Sequence, residues 1–211
     1  MTRDHTALPQ NYRWNFTAFT VDYVSFVVGM YFIGANTVVP SFIRQLTDSA
    51  PLVRLGGTLF SLGLMLPQLL AAKMIENRPR KHPFLVAALP GRLFLPLIAV
   101  AVWSGLAAKP SAMLLTFFVS FGLFAVTDAF VTLPWLDIMA RAIPTNRRGR
   151  MLGLSQVLIG VAGIGAGALV GSILGDTQIP FPNNYALLFA IASAFLIPST
   201  IALILLREPD P

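Results

Sequence analysis

The sequence of 211 residues contains no cysteine and only two histidines, His5 and His82. Without cysteine, the chain can form neither disulfides nor thiolate metal sites. Both histidines fall in predicted loops, so the apolar segments offer no Ser–His pair for catalysis and no axial ligand for haem. The sequence therefore predicts a protein that is not an enzyme and that holds no metal ion or cofactor.

Charge is also scarce, since Asp, Glu, Lys and Arg make up 11% of the residues, whereas 55% are hydrophobic and the mean hydropathy is +0.72. The apolar residues gather in six stretches of about 18 to 25 residues, and at ~1.5 Å per residue each can cross a hydrocarbon core of ~30 Å. These stretches, spans 1 to 6, cover residues 16–40, 55–72, 84–103, 112–136, 151–174 and 186–206. The sequence predicts an all-α membrane protein, a single six-helix domain over residues 1–211 that has the lipid bilayer as its surroundings.

The basic residues are distributed unevenly about these spans. Eleven of the fifteen Lys and Arg residues, from Arg3 to Arg207, lie in the two tails or in the loops after spans 2 and 4. Only Arg44, Arg54 and Lys109 lie on the other side. Because cytoplasmic loops retain an excess of Lys and Arg, we expect an inner-membrane protein with both termini in the cytoplasm. Basic clusters at membrane exits also account for the net charge of +6 without a nucleic-acid partner.

Two of the basic loops carry recognisable motifs. The loop between spans 4 and 5 has the sequence IPTNRRGRMLGL over residues 143–154 and contains Pro144, Arg147, Arg148, Gly149, Arg150 and Gly153. The loop after span 2, AKMIENRPRKH over residues 72–82, has Glu76, Arg80 and Lys81 at the acidic and basic places of a second motif, and it departs from that motif at Ala72, Asn77 and Pro79. In their sequence and order, these loops resemble those of the major facilitator superfamily.

This resemblance implies the N-terminal six-helix half of a twelve-helix fold, built as two inverted three-helix repeats. It further implies a secondary transporter that moves a small solute by alternating access, with residues 76–81 and 147–150 in conformational-switch loops. A half-transporter needs a second six-helix half, from a homodimer or a separate chain. Two alternatives are a non-transporting structural or assembly subunit of a larger membrane complex, and a sequence that is part of a longer polypeptide.

Three ionisable residues lie within the predicted spans: Asp22, Arg92 and Asp128. Each is about eight residues, or roughly 12 Å, from the cytoplasmic end of its span. Such groups are costly at membrane depth and are functional candidates by default. We expect an Arg92–Asp128 pair, with Asp22 sharing the positive charge. A carboxylate beside Arg stays ionised, whereas desolvation favours its protonated form once Arg moves away, which would couple proton movement to transport. A purely structural pair between spans 3 and 4 is the alternative.

Other polar residues complete the predicted site. Gln156 and Gln68 lie about five residues from the same side and suit interhelical hydrogen bonds, with Gln156 a further substrate candidate. Asn36, near the outer end of span 1, is a candidate for the mouth of a cavity. Trp14 and Trp135 are expected as interfacial anchors.

Span 5 is rich in glycine, and Gly163, Gly167 and Gly171 recur at intervals of four residues. Small residues at this spacing leave a groove on one helix face and allow close approach of a neighbouring helix. The sequence therefore predicts helix packing at these glycines, with a sliding surface for conformational change as the alternative.

Overall fold

The computed structural model describes residues 9–209, and every regular element in this range is helical. Arg3 and His5 lie outside the described residues. The α-helices in chain order are α1 (Tyr12–Ile33), α2 (Val38–Leu46), α3 (Ala50–Met65), α4 (Gln68–Ile75), α5 (His82–Ala88), α6 (Phe94–Trp103), α7 (Pro110–Ala142), α8 (Thr145–Gly175) and α9 (Asn183–Ile204). Two 3-10 segments, Leu89–Leu93 and Leu106–Ala108, flank α6.

These elements form six stretches that are long and apolar enough to cross a membrane, so the predicted fold class is confirmed. Spans 4, 5 and 6 are α7, α8 and α9, whereas spans 1, 2 and 3 are each divided into two or more segments. Span 4 was predicted to end at residue 136, but α7 continues to Ala142. In the added turns, Asp137 pairs with Arg141 four residues later, an arrangement that supports helix.

Backbone chemistry explains the divided spans. Span 1 breaks at Gly34, whose φ of +47° favours glycine, and the chain turns over residues 34–37 before α2 begins. Span 2 breaks at Pro67, between α3 and α4. Span 3 changes from α-helix to a 3-10 segment around Pro90, where the missing backbone N–H interrupts the helical hydrogen bonding.

The helices pack in a way that brings both ends of the described chain together. Helix α1 packs mainly against α9 and α8, α7 packs against α3 and span 3, and α6 lies against both α7 and α9. At one end of the bundle, the Asn15 side-chain amide exchanges two hydrogen bonds with the backbone of Arg207. We call this the basic end, formed by residues 9–15, 76–82, 137–150 and 205–209.

The buried apolar residues form two clusters that are stacked along the bundle. The larger lies away from the basic end and is centred on phenylalanines, including Phe42, Phe117 and Phe189, which contact one another ring to ring. The smaller lies at the basic end and includes Phe19 and Leu203. On each of α1, span 3, α7 and α9, a short interval of sequence separates the two clusters, and these intervals carry the buried residues Asp22, Arg92, Asp128 and Ser199.

Candidate functional site

The break in span 3 positions the only charged residue of that span within the bundle. Arg92 lies in the 3-10 segment just after Pro90 and Gly91. A Cβ added to Gly91 would lie 2.0 Å from Oγ1 of Thr127, so glycine is what allows the segment to approach α7 so closely. This approach brings Arg92 beside Asp128, one residue further along α7.

Arg92 lies between two aspartates from different spans. Its Nη2 atom is 3.5 Å from Oδ1 of Asp128 in α7 and 3.8 Å from Oδ1 of Asp22 in α1. The exposed fractions are 5% for Asp22 and 7% for Arg92 and Asp128. We call these three residues the buried charge cluster. The structure thus brings together the three ionisable residues that the sequence placed at one depth.

Asp22 has a full set of hydrogen-bond donors around it. Oγ of Ser199 in α9 donates to Oδ1 at 2.6 Å, and Nε1 of Trp135 in α7 donates to Oδ2 at 2.7 Å. Nη1 of Arg92 in turn donates to the hydroxyls of Ser199 and Thr200, at 2.7 and 3.1 Å. Asp22 of α1 is therefore held by three other elements: α7, α9 and the 3-10 segment that carries Arg92.

The contact of Trp135 with Asp22 corrects the expectation that this tryptophan is an interfacial anchor. Because α7 extends six residues beyond its predicted end, Trp135 lies within the helix rather than at its end. Ser199 and Thr200 were not predicted to contribute. The signal for them was the pair of adjacent hydroxyl residues after Pro198 in an otherwise apolar span.

The carboxylate of Asp128 accepts fewer hydrogen bonds than that of Asp22. Within the described residues 9–209, its Oδ1 atom and Nε of Arg92 are buried without a hydrogen-bond partner. A buried polar group without a partner costs about 1–3 kcal/mol, and more if it is charged. Oδ1 of Asp128 thus has the ion pair with Arg92 as its polar contact, and no hydrogen bond from the described residues.

A cavity of about 190 Å³ adjoins the cluster. Its lining comprises Asp22, Tyr23, Phe26, Arg92, Asp128, Val131, Thr132, Trp135 and Leu136. Leu136 is 45% exposed, so the cavity opens to the outside of the bundle. The arrangement places two carboxylates, one guanidinium and three aromatic rings around a space that a small solute can enter.

The remaining predicted site residues lie outside the cluster. Nε2 of Gln156 in α8 donates to the Tyr23 hydroxyl at 3.2 Å, next to the cavity but not within its lining. Gln68 begins α4 and does not line the cavity. Asn36 is exposed in the turn after α1, and at ~1.5 Å per helical residue it lies more than ~15 Å from Asp22. The structure therefore separates Asn36 from the buried charge cluster.

A second group of charges connects three elements at the basic end. Nζ of Lys81 lies 2.8 Å from Oδ1 of Asp137, and Nε of Arg141 donates to Oδ2 of the same aspartate at 2.9 Å. Arg141 also pairs with Glu208, which follows α9. The Glu208 carboxylate accepts hydrogen bonds from the backbone N–H groups of Lys81 and His82 at 2.9 Å. We call Lys81, Asp137, Arg141 and Glu208 the basic-end network.

The basic-end network stabilises ionised Glu208. Burial opposes ionisation, but the N–H groups of Lys81 and His82 and the Arg141 guanidinium outweigh it and lower the pKa of Glu208 below its ordinary value. Sequence reasoning found Lys81 here but missed Asp137, Arg141 and Glu208. The spacing of Asp137 and Arg141 was a usable signal, whereas nothing local marks Glu208.

The other predicted loop residues have separate surroundings. Arg148 donates from Nε to the carbonyl of Ile143 at 2.9 Å and from Nη2 to the carbonyl of Ala140, so it closes the end of α7. The backbone N–H of Arg147 donates to the Pro144 carbonyl at 2.8 Å. Residues that the structure leaves exposed are Glu76, Arg80, Gly149 and Arg150.

The glycine stripe of span 5 finds little to pack against within this chain. A Cβ on Gly163 would lie 2.8 Å from the ring of Tyr31, so close packing holds at this position. At Gly167 and Gly171, no atom of the described residues lies within 4 Å of an added Cβ. Gly167 and Gly171 therefore pack against no helix within the described residues 9–209, and the prediction of helix packing stays open for them.

Taken together, the fold and the cavity define a class: an integral membrane protein with six helical spans and a cluster of three buried ionisable residues beside an open cavity. A model of the family described as Major Facilitator Superfamily matches residues 22–211. The chain belongs to the major facilitator superfamily, and this membership indicates a function of the transporter type. No curated protein and no solved structure matches the chain.

Proposed function

We propose that this chain is one six-helix half of a secondary transporter, which moves a small solute by alternating access and couples it to protons. The observation that carries the proposal is the buried charge cluster beside the cavity, in which Oδ1 of Asp128 has the 3.5 Å ion pair with Arg92 but no hydrogen bond from the described residues. A structural ion pair gains most from complete hydrogen bonding. The incomplete pairing of Asp128 is instead what a group needs if it is to exchange its partner during a cycle.

The geometry of Arg92 supports proton coupling. Its Nη2 atom is 3.5 Å from Asp128, whereas its Nη1 atom is bound to Ser199 and Thr200 of α9. A displacement of α9 or of span 3 relative to α7 would withdraw the guanidinium from Asp128. The isolated carboxylate would then take up a proton, because burial disfavours its charge.

The conformational switch is proposed at the basic end. Lys81, from the loop after span 2, contacts Asp137 of α7, and Arg148 closes the end of α7 where the loop to α8 begins. The basic-end network also includes Glu208 after α9. Contacts between these elements would break and re-form as the spans move. Glu76, Arg80, Arg147, Gly149 and Arg150 belong to the same two loops.

A second six-helix half is the proposed partner. Of the most apolar 18 residues of each span, 11% are buried in α8 and 17% in span 2. In α7, 50% are buried. Gly167 and Gly171 lie open on α8, and small residues suit contact with another helix rather than with lipid alone. The partner is either a second copy of this chain or a separate chain.

The proposed placement is the inner membrane, with the basic end in the cytoplasm and the six spans arranged as two inverted three-helix repeats. The charge asymmetry supports this orientation, because Lys and Arg concentrate in the basic-end loops.

The test is a flux assay in proteoliposomes, combined with the size of the purified protein in detergent. We expect a dimeric or larger particle, solute-dependent proton movement, and its loss in Asp128→Asn. Asp48→Asn is the matched control, because it makes the same change at an exposed residue far from the cavity. A strictly monomeric protein without flux for any member of a solute panel would contradict the proposal.

The second candidate function is that of a non-transporting subunit in a larger membrane complex. The uncovered surface of α8 favours it, since that surface suits any helical partner. This candidate predicts stable association with another membrane protein and no effect of Asp128→Asn on that association.

A further inference from the structure

The buried charge cluster carries an unbalanced charge. With all three residues ionised, Asp22 and Asp128 contribute two negative charges and Arg92 one positive charge. No other Asp, Glu, Lys, Arg or His lines the cavity. In that state the cavity wall has one negative charge in excess, and an unbalanced charge is costly on buried side chains.

The excess is concentrated on Asp128 rather than shared equally. Asp22 accepts short hydrogen bonds from Ser199 and Trp135, at 2.6 and 2.7 Å. Asp128 has no such donor at Oδ1 among residues 9–209, although it is more than nine-tenths buried and lines the cavity. A positively charged group in the cavity would meet the carboxylate that most lacks a partner.

Aromatic rings line the same cavity. Tyr23 and Trp135 have ring centroids 6.1 Å apart and are tilted by 47°, so they form two walls at an angle rather than a stack. The guanidinium of Arg92 lies 5.3 Å from the ring centroid of Phe26, so one cation already contacts an aromatic face at this site. Aromatic rings with a nearby carboxylate are the chemistry by which proteins recognise organic ammonium groups.

The size of the cavity limits the ligand. Its volume of about 190 Å³ is below the ~300–1,000 Å³ of pockets for drug-sized molecules. A compact trialkylammonium head group fits this description better than an extended molecule does.

From these observations, we propose that the solute of this site is a small organic monocation, with its ammonium group beside Asp128 and against the rings of Tyr23 and Trp135. This inference deepens the proposed function and rests on it for the step of transport, but not for binding. The negative excess disfavours an anion, and the aromatic walls offer a neutral polar solute few hydrogen-bonding partners.

The test compares three probes of nearly one shape on the full chain in detergent: choline, neutral 3,3-dimethylbutan-1-ol and the anion 3,3-dimethylbutanoate. Binding is measured by isothermal titration calorimetry. We expect choline to bind about tenfold or more tightly than the neutral probe, and the anion to bind most weakly. Equal affinities for choline and the neutral probe would overturn the inference, and so would preferred binding of the anion. This comparison needs no variant and so does not depend on whether a variant folds.

The variant arm locates the site. We expect Asp128→Asn to weaken choline binding by about tenfold or more and Asp48→Asn to leave it unchanged. Unchanged choline affinity in a folded Asp128→Asn protein would overturn the inference. Flux separates the two proposals: choline binding without any flux contradicts the transporter, whereas Asp128-dependent flux of another solute without choline binding contradicts only the organic cation.

Discussion

The two groups of charges in this protein differ in how completely they are paired. In the basic-end network, Glu208 accepts hydrogen bonds from two backbone N–H groups and pairs with Arg141, and Asp137 has both Lys81 and Arg141 within 2.8 Å. In the buried charge cluster, the ion pairs of Arg92 are longer, at 3.5 and 3.8 Å. Two of its atoms, Nε of Arg92 and Oδ1 of Asp128, have no hydrogen-bond partner among residues 9–209.

This difference indicates that the basic-end network holds structural elements together, whereas the ion pairs of the buried charge cluster can change partners. The network lies at the end of the bundle, where short, charge-assisted bonds hold the loop after span 2, α7 and the segment after α9. The cluster lies between the two apolar cores, where incomplete pairing is far more costly. Buried charged groups that are incompletely paired and lie beside an open cavity are candidates for function.

The largest expected effect comes from removing the cation of the cluster. Arg92→Met leaves two buried carboxylates without a counter-charge, and we expect a loss of about 3–5 kcal/mol in unfolding free energy. Thermal unfolding in detergent measures it. Arg44→Met is the matched control, because Arg44 is exposed and pairs only with exposed Asp48, so no measurable change is expected. If both variants unfold alike, the cluster contributes nothing to the fold.

A triple variant separates the electrostatic part of the stability lost in Arg92→Met from the part that is due to packing. Adding Asp22→Asn and Asp128→Asn to Arg92→Met removes all three charges, so we expect it to restore part of the lost stability. No recovery would mean that Arg92 acts by packing alone.

An intermediate effect is expected at the residue that brings span 3 to α7. In Gly91→Ala, the new methyl group would clash with Thr127, and overpacking of this kind costs about 1–3 kcal/mol. The shift would also move Arg92 away from Asp128. Gly165→Ala is the control, since a Cβ there meets no atom of the described chain within 4 Å. Equal unfolding temperatures of the two variants would contradict this account of the close approach.

The smallest effect is expected in the basic-end network, and it depends on pH. Because the folded-state pKa of Glu208 is lowered, its ionisation stabilises the fold above the ordinary pKa of 4.5, and that contribution is lost as the pH falls below this value. We expect Glu208→Gln to cost about 1 kcal/mol at neutral pH. The variant should also flatten the dependence of unfolding free energy on pH between about pH 5 and pH 3. The same slope in both proteins would exclude Glu208 as a source of acid sensitivity.

The sequence was informative where a single physical rule dominated. Length and hydropathy located the six spans, and the cost of charge in a membrane singled out Asp22, Arg92 and Asp128. Helical rise placed these three at one depth, and the structure brings them together. Asn36, predicted for the mouth of a cavity or as a solvated residue at a helix end, lies exposed in the turn after α1.

Other features depend on contacts between residues far apart in the chain and could not be predicted. Trp135 resembled an interfacial anchor until the true length of α7 placed it beside Asp22. Glu208 binds backbone groups of Lys81 and His82, which no side-chain pattern reveals. The glycine stripe indicated packing correctly at Gly163, but spacing alone could not tell which of its residues meet a helix of the same chain.

The central claim is that Asp128, and not Asp22, is the carboxylate that exchanges its partner. Dicyclohexylcarbodiimide tests it most directly, since this reagent modifies protonated carboxyl groups in apolar surroundings and the adduct is located by mass spectrometry of peptides. The account predicts modification at Asp128 that increases as the pH is lowered, is lost in Asp128→Asn and persists in Asp48→Asn. Modification of Asp22 with Asp128 untouched, or of neither residue, would contradict it.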